Sequence, residues 1–354
     1  MFAPEIKKAI NLCISGNVPF VAYLLPKSGA VVFYSNPSVD GGSEDESVDI
    51  SFFGKDPSDI VTVRKELDAK QTIEFLSVST GMIQSDISPW PLSTSYLQYC
   101  AQVHQIVKRL KRYGGKIVLS RVLCGNIEGV DWVDVASAYF RYYPDTFRYI
   151  YYTSETGCWM GASPELLLEH FRDDDKFSTM SLAGTRGVEK NGMEWDGKNM
   201  EEHDYVTDYI VETLGRLGID AEVSMAESLP YGCIEHLCHR IVASNPTMGI
   251  SFRDVMWHLS PTPALSGYPV ERALSYISEY EVHPRHCYGG FVAVNDAEGL
   301  HSYVNLRCVH FDEHSYCIYA GGGLTAKSVD EEEWRETESK VAVLADILTP
   351  YLKN

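Results

Sequence analysis

A chain of 354 residues with 45% hydrophobic content is long enough to bury a large core, in one big domain or in two closely joined ones. Its 49 acidic against 30 basic residues leave a formal net charge of −19, which excludes an extended attraction to nucleic acid or to an anionic membrane. An anionic small substrate would therefore need a local cluster of cations or a metal. No run of about 18 apolar residues occurs, and the N-terminus MFAPEIKKAINLCISG lacks the cationic-then-apolar order of a signal peptide, so a cytoplasmic location is expected. The nine cysteines are scattered, odd in number and without C-x-x-C spacing. They read as reduced small hydrophobes rather than as disulfides or zinc ligands.

Residues 1–92 read as short strands, Phe20–Leu25, Val31–Ser35, Val48–Phe53 and Thr72–Val78, with an acidic, glycine- and serine-rich loop at Asn36–Ser47 and no chemistry-bearing pattern. A helical period runs from Ser95 to Tyr113, turning Leu97, Ala101, Val107 and Leu110 toward a core, and Gly114 and Gly115 end it. The apolar run Lys116–Gly125 is a strand whose alternation puts Lys116, Val118 and Ser120 on one face. A lysine opening such a strand either snorkels to solvent or, desolvated in a pocket, has its pKa lowered and can act as a general base. Beyond a helix near Trp132–Phe140 come strands Phe147–Tyr152 and Cys158–Gly161. Glu165 follows a Ser-Pro turn among apolar neighbours. It is either exposed or a buried carboxyl of raised pKa, as a general acid requires.

Thr179–Arg186 is a strand running into a small-residue turn, where Gly184 and Thr185 can offer a backbone N–H and a hydroxyl to a ligand. Lys190–Lys198 reads as a charged loop. The helix Glu201–Leu217 buries Val206, Ile210, Leu214 and Leu217, and Glu202 lies one turn before Val206 on that same stripe. A carboxylate on a core stripe is a ligand candidate. His236, in the apolar segment Ile234–Ser244, is a hydrogen-bonded structural histidine or a substrate contact. The run SPTPALSGYP, Ser260–Pro269, is a rigid loop able to shape a pocket through Ala264 and Leu265. Three strands follow, Cys287–Val294 with Tyr288 near its start, Leu300–His310 with Arg307 as an inward carboxylate fork, and Tyr316–Gly321. The last helix is expected from about Glu331 to Leu352. Gly321 to Gly323 predict a tight, positive-φ backbone that offers N–H groups to an oxyanion. Glu336 and Lys340, four apart, share one helix face, either as a solvated salt bridge or as tools for a metal and an anionic ligand.

Taken in order, nine segments resemble the chorismate-utilising enzymes: isochorismate synthase, salicylate synthase, and the large subunits of anthranilate and aminodeoxychorismate synthases. They are KIVLSR at Lys116–Arg121, GASPEL at Gly161–Leu166, LAGTR at Leu182–Arg186, Glu202-His203, PTPALSG at Pro261–Gly267, YGG at Tyr288–Gly290, Arg307-Cys308, AGGG at Ala320–Gly323 and WRET at Trp334–Thr337. The resemblance spans about residues 90 to 350. It implies one large α+β domain over residues 1–354, with two stacked, mainly antiparallel sheets flanked by helices; residues 1–92 would complete the sheets and 93–354 carry the motifs. It implies that Glu202 and Glu336 hold one Mg²⁺ on the ring carboxylate of chorismate, with Glu333 in reach of a metal-bound water. Arg307, Lys340 and the amides around Gly321 and Gly323 would take the enolpyruvyl carboxylate, with Gly184 and Thr185 lining the same cavity. Lys116 would activate a water for attack on C2 while Glu165 protonates the departing C4 hydroxyl.

Within the family, the amine-transferring members carry glutamine where this chain has Lys116, and aminodeoxychorismate synthases carry a nucleophilic lysine where it has Ala183. The loop PTPALSG resembles that of isochorismate synthases, although Ser260 stands where histidine is usual. The resemblance thus points to a Mg²⁺-dependent isochorismate synthase that acts without a glutaminase subunit, as a monomer or weak dimer. Salicylate synthase, with which Tyr288 and Leu306 are also compatible, anthranilate synthase large subunit, and a non-enzymatic chorismate-binding protein are the competing expectations.

Overall fold

In the computed structural model, residues 2–38, 41–43, 45–54, 56–77, 90–190, 192–232, 234–246 and 249–352 are described. The chain opens with α1 (Pro4–Gly16), whose proline sits in the first turn where a missing N–H costs nothing, then β1 (Phe20–Leu24), β2 (Val32–Ser35), β3 (Ser47–Ile50), β4 (Val61–Arg64) and α2 (Ala69–Leu76). The expected strand Thr72–Val78 is therefore a helix over its described part, because Asp68 and Gln71 close a reciprocal capping box that nucleates α2. Val78 lies outside the described residues, as do parts of the acidic loop. The middle of the chain runs α3 (Tyr96–Tyr113), β5 (Lys116–Asn126), α4 (Trp132–Tyr142), β6 (Phe147–Thr153), β7 (Gly157–Ser163), β8 (Leu166–Phe171), β9 (Lys176–Gly187), α5 (Gly197–Arg216), β10 (Ala221–Val223), β11 (Glu227–Tyr231) and β12 (Ile234–Ser244). The last part is α6 (Phe252–Leu259), β13 (Gly267–Tyr268), α7 (Val270–Tyr280), β14 (Phe291–Asn295), β15 (Gly299–Val304), β16 (Cys308–Phe311), β17 (Ser315–Leu324) and α8 (Asp330–Leu348).

Two antiparallel sheets result. One has the order β13-β5-β17-β16-β7-β6-β1-β2, the other β10-β12-β9-β8-β15-β14-β3-β4 with β11 also paired to β12. The first four strands thus form one edge of each sheet, β1 and β2 in the first and β3 and β4 in the second. In the first sheet the alternation of side chains separates two cores. Tyr149, Tyr151, Trp159, Cys317 and Tyr319 face a large core shared with the second sheet, α5 and α6, while Ile150, Met160, Ile318 and Ala320 face a core against α1, α4 and α8. A smaller core joins β5 to α3 and α7. On α3 the buried stripe is Tyr99, Val103, Ile106, Val107 and Leu110; Leu97, expected inside, is 78% exposed, and Ala101 is exposed too, so the face is rotated from the expected one. Among the described residues no helix is long and apolar enough to cross a membrane.

Three further expectations are corrected. Leu300–His310 is not one strand: β15 belongs to the second sheet and β16 to the first, and the chain changes sheet at Asn305–Arg307. Gly321 to Gly323 are not a positive-φ nest but the extended end of β17, in register with Ser120, Leu119 and Val118 of β5. Cys124 and Cys317, facing partners on β5 and β17, form a disulfide; their separation of 193 residues hid the pairing from sequence spacing. The other described cysteines are free, and Cys233 lies outside the described residues.

Candidate active site

Between the sheets lies a cleft walled by β5 and β17 on one side and by β9 and β12 on the other. Each of the ten expected substrate contacts, Gly184, Thr185, His236, Ala264, Leu265, Tyr288, Arg307, Gly321, Gly323 and Lys340, lines it, together with Glu165 and Glu202. Lys116, Glu333 and Glu336 stand behind the lining. Val118, Pro164, Leu182, Tyr319 and Ala320 also line it. Four of them lie inside the resembling segments and Tyr319 directly precedes AGGG, but as core-type residues they carry no chemistry that marks them as lining.

One wall is built on β5 and β17. Lys116 shares the inward face of Val118 and is fully buried, with Nζ 3.0 Å from Glu202 Oε1. It is buried and ion-paired rather than snorkelling to solvent. The glycines of β17 are required by close approach: a Cβ on Gly323 would collide with Glu202 Oε1 and Lys116 Cε, and one on Gly321 would stand 2.8 Å from the Tyr288 hydroxyl. Pairing of β17 with β16 stops at Ile318, so the strand end beyond it is bonded on the β5 side alone, and Lys340 Nζ caps the Gly321 carbonyl at 2.8 Å.

The opposite wall comes from β9 and β12. Gly184, at φ +72°, is the extra residue of a bulge: Thr185 pairs with His236 and Ala183 with Leu237. Bulges re-aim side chains beside sites. Here the bulge turns the Gly184 carbonyl onto His236 Nδ1 at 3.0 Å and sets the Thr185 hydroxyl 3.1 Å from the same nitrogen, while Asn199 Oδ1 accepts the Thr185 N–H at 2.9 Å. Burial first, then Arg307 and Lys340, pulls the His236 pKa down to about 3, so the ring is neutral. Its Nδ1–H donates to Gly184, which leaves Nε2 to accept from Arg307 Nη2 at 3.3 Å. His236 is thus both a structural histidine and part of the cleft. Arg307 lies in the left-handed region at φ 51°, over the Tyr231 ring and with its carbonyl accepting from Tyr139. The sheet change holds it there, and the guanidinium points into the cleft.

Glu165 immediately precedes β8, 3% exposed, and burial raises its pKa to about 8 against the lowering influence of Lys116 and of the Thr262 hydroxyl at 3.4 Å. Thr262 belongs to the proline-rich loop, whose Leu265 carbonyl is fixed by Arg285 Nη1 at 2.7 Å; this places Ala264 and Leu265 as the apolar floor. At neutral pH Glu165 carries a proton.

The three expected metal ligands are each drawn onto a lysine. Glu202 meets Lys116, Glu336 Oε1 meets Lys340 at 2.6 Å, and Glu333 Oε1 meets Lys198 at 2.6 Å. Among the described residues no three acidic, histidine or cysteine side chains converge as a ready metal site. Each carboxylate is instead engaged by its own lysine. The chemistry still suits a hard cation: all donors are carboxylate oxygens, and Glu333 Oε2 is buried without a well-formed hydrogen bond. Burial, and next Glu336, raises the Glu333 pKa to about 7 in spite of Lys198; for Glu336 burial is outweighed by Lys340 and Lys198, and its pKa is lowered. The charged run Lys190–Lys198 has the pattern of a loop, which hides Lys198. It is in the first turn of α5, capped by Asp196, and its spacing of four from Glu202 was the available signal.

Isochorismate synthase EntC of Escherichia coli (strain K12) is 28% identical over 246 residues, 66% of this chain and 62% of that protein's length. Isochorismate synthase MenF of Haemophilus influenzae is 26% identical over 302 residues, covering 80% of this chain and 70% of its own. The crystal structure of MenF, the menaquinone-specific isochorismate synthase from Escherichia coli, superposes with a TM-score of 0.76 at 19% identity over 98% of this chain and 91% of that one, a likeness of fold. The sequence pattern described as chorismate binding enzyme matches residues 55–349, and the chain belongs to that family.

Proposed function

We propose that the protein is an isochorismate synthase, which adds water at C2 of chorismate and expels the C4 hydroxyl. The observation that carries this reading is the pair formed by Lys116, fully buried, and Glu165, buried and protonated, each within electrostatic reach of the other. Water needs a base to become a nucleophile and hydroxide needs an acid to leave. Lys116, an ammonium paired with Glu202 before substrate enters, acts after giving up that proton: as the amine it takes one from the entering water while Glu165 gives one to the departing hydroxyl, so that one water enters, one leaves, and nothing is oxidised. Arg307, fixed by His236, and Lys340 hold the enolpyruvyl carboxylate with the Gly321 and Gly323 backbone and the Gly184–Thr185 turn beside it. Ala264, Leu265 and Tyr288 hold the apolar face of the ring. A Mg²⁺ ion held by Glu202 and Glu336, with Glu333 on a metal-bound water, would supply positive charge to the ring carboxylate.

The names of the two sequence relatives support water rather than ammonia as the nucleophile, as does a lysine at position 116. Tyr288 and Leu306, both in the cleft, favour as second reading a salicylate synthase that goes on to eliminate pyruvate. We place the enzyme in the cytoplasm, acting without a glutaminase partner, as a monomer or weak dimer. Turnover of chorismate in oxygen-labelled water tests the chemistry. The label is expected in the C2 hydroxyl of the product; a product without label refutes water attack.

A further inference from the structure

Lys198 lies on α5 one turn before Glu202 and reaches to α8, where its Nζ meets Glu333 Oε1 at 2.6 Å. The Glu333 side chain is 1% exposed, so this link between the two helices that bear the acidic groups is buried; Lys327, in the turn before α8, meets Glu201 at 2.8 Å as an exposed pair. With Lys116 on Glu202 and Lys340 on Glu336, three ammonium groups balance three carboxylates. The cluster is neutral in formal charge before any ligand enters. Yet Glu333 Oε2 still lacks a well-formed hydrogen bond, so the cluster is balanced without being saturated.

We propose that Lys198 is a positioning residue that serves as the internal counter-cation of this cluster, holding Glu333 and tying α5 to α8 until a divalent cation takes over, and that it therefore competes with the metal. The inference rests on the metal reading given above. A divalent ion entering a neutral cluster leaves two surplus positive charges, which the two carboxylates of a dianionic substrate would cancel. Metal and substrate then reinforce each other, and Lys198 sets how weakly the metal binds alone.

Isothermal titration of the purified full chain with Mg²⁺ alone, and again with chorismate present, tests this in the wild type, Lys198→Met and Lys198→Arg. Lys198→Met should bind Mg²⁺ at least about tenfold more tightly than the wild type in the absence of chorismate, as expected from removing a unit charge at contact distance. Its affinity should also gain less from chorismate. Lys198→Arg, which keeps the charge, should stay within about threefold of the wild type on the same grounds. Equal or weaker Mg²⁺ binding by Lys198→Met, with the wild type binding normally, overturns the inference alone. No binding by any of the three, even with chorismate, overturns it together with the metal reading. If circular dichroism shows Lys198→Met unfolded, Lys198→Gln is read by the same criteria.

Discussion

Glu165 and Lys116 divide the chemistry because their surroundings differ. Glu165 has a raised pKa chiefly from burial, and Lys116 is buried against Glu202. Lys116→Gln should abolish chorismate turnover while leaving chorismate binding within a few-fold, since the amide keeps the shape and loses the base; unchanged turnover would refute the base assignment. For Glu165 the acid form is required, so the rate should fall about tenfold per pH unit above pH about 8. A raised carboxyl pKa also links to stability. The native state holds its proton where the unfolded chain, with the ordinary value of 4.5, releases it. Stability from this group is complete below pH 4.5 and is lost as the pH climbs toward about 8. Glu165→Gln should remove that loss and melt higher than the wild type at pH 9, while losing turnover; a variant melting lower at that pH would contradict the buried, protonated carboxyl.

The elements that hold these groups were unevenly legible. β5 and α5 show apolar periods that put Lys116 and Glu202 on inward faces, and the spacing of four puts Glu336 and Lys340 on one face of α8, where the structure pairs them. β17 was placed correctly but misread at its end. Three glycines in a row look like a turn, yet here they stay extended because Tyr288, Glu333, Lys116 and Glu202 press on the strand from both faces. Such crowding is long-range and leaves no local trace. The same applies to Arg307, which sits where the chain leaves one sheet for the other; local pattern continues through Leu300–His310, and tertiary pairing breaks it. α2 was legible in principle from Asp68 and Gln71, whose capping chemistry outweighs the β-branched Thr72 and Ile73. The reading of β17 has a direct consequence. Gly323→Ala keeps an allowed backbone but drives a methyl into Glu202 and Lys116, so it should cost about 1–3 kcal/mol of stability and about a hundredfold in turnover through misplaced groups. Near-native turnover in Gly323→Ala would show that Glu202 and Lys116 can be displaced freely, against the account given.

For the molecule as a whole, two antiparallel sheets and their helices form a frame whose interior cleft draws on four strands, β5, β9, β12 and β17, on two helices, α5 and α8, and on turns between elements. A fold of this kind does not by itself dictate a reaction; the groups at its cleft do. The net charge of −19 repels a dianion at a distance, while Arg307 and Lys340 in the cleft meet it at close range. Attraction is therefore local, and the substrate is chosen by the cleft rather than gathered by the surface. The central claim is that these groups perform water addition and then stop. Purified protein incubated with chorismate and Mg²⁺, with products resolved by chromatography, tests it most directly. The account predicts accumulation of isochorismate without pyruvate; salicylate and pyruvate in equal amounts without isochorismate, or unconsumed chorismate, would contradict it.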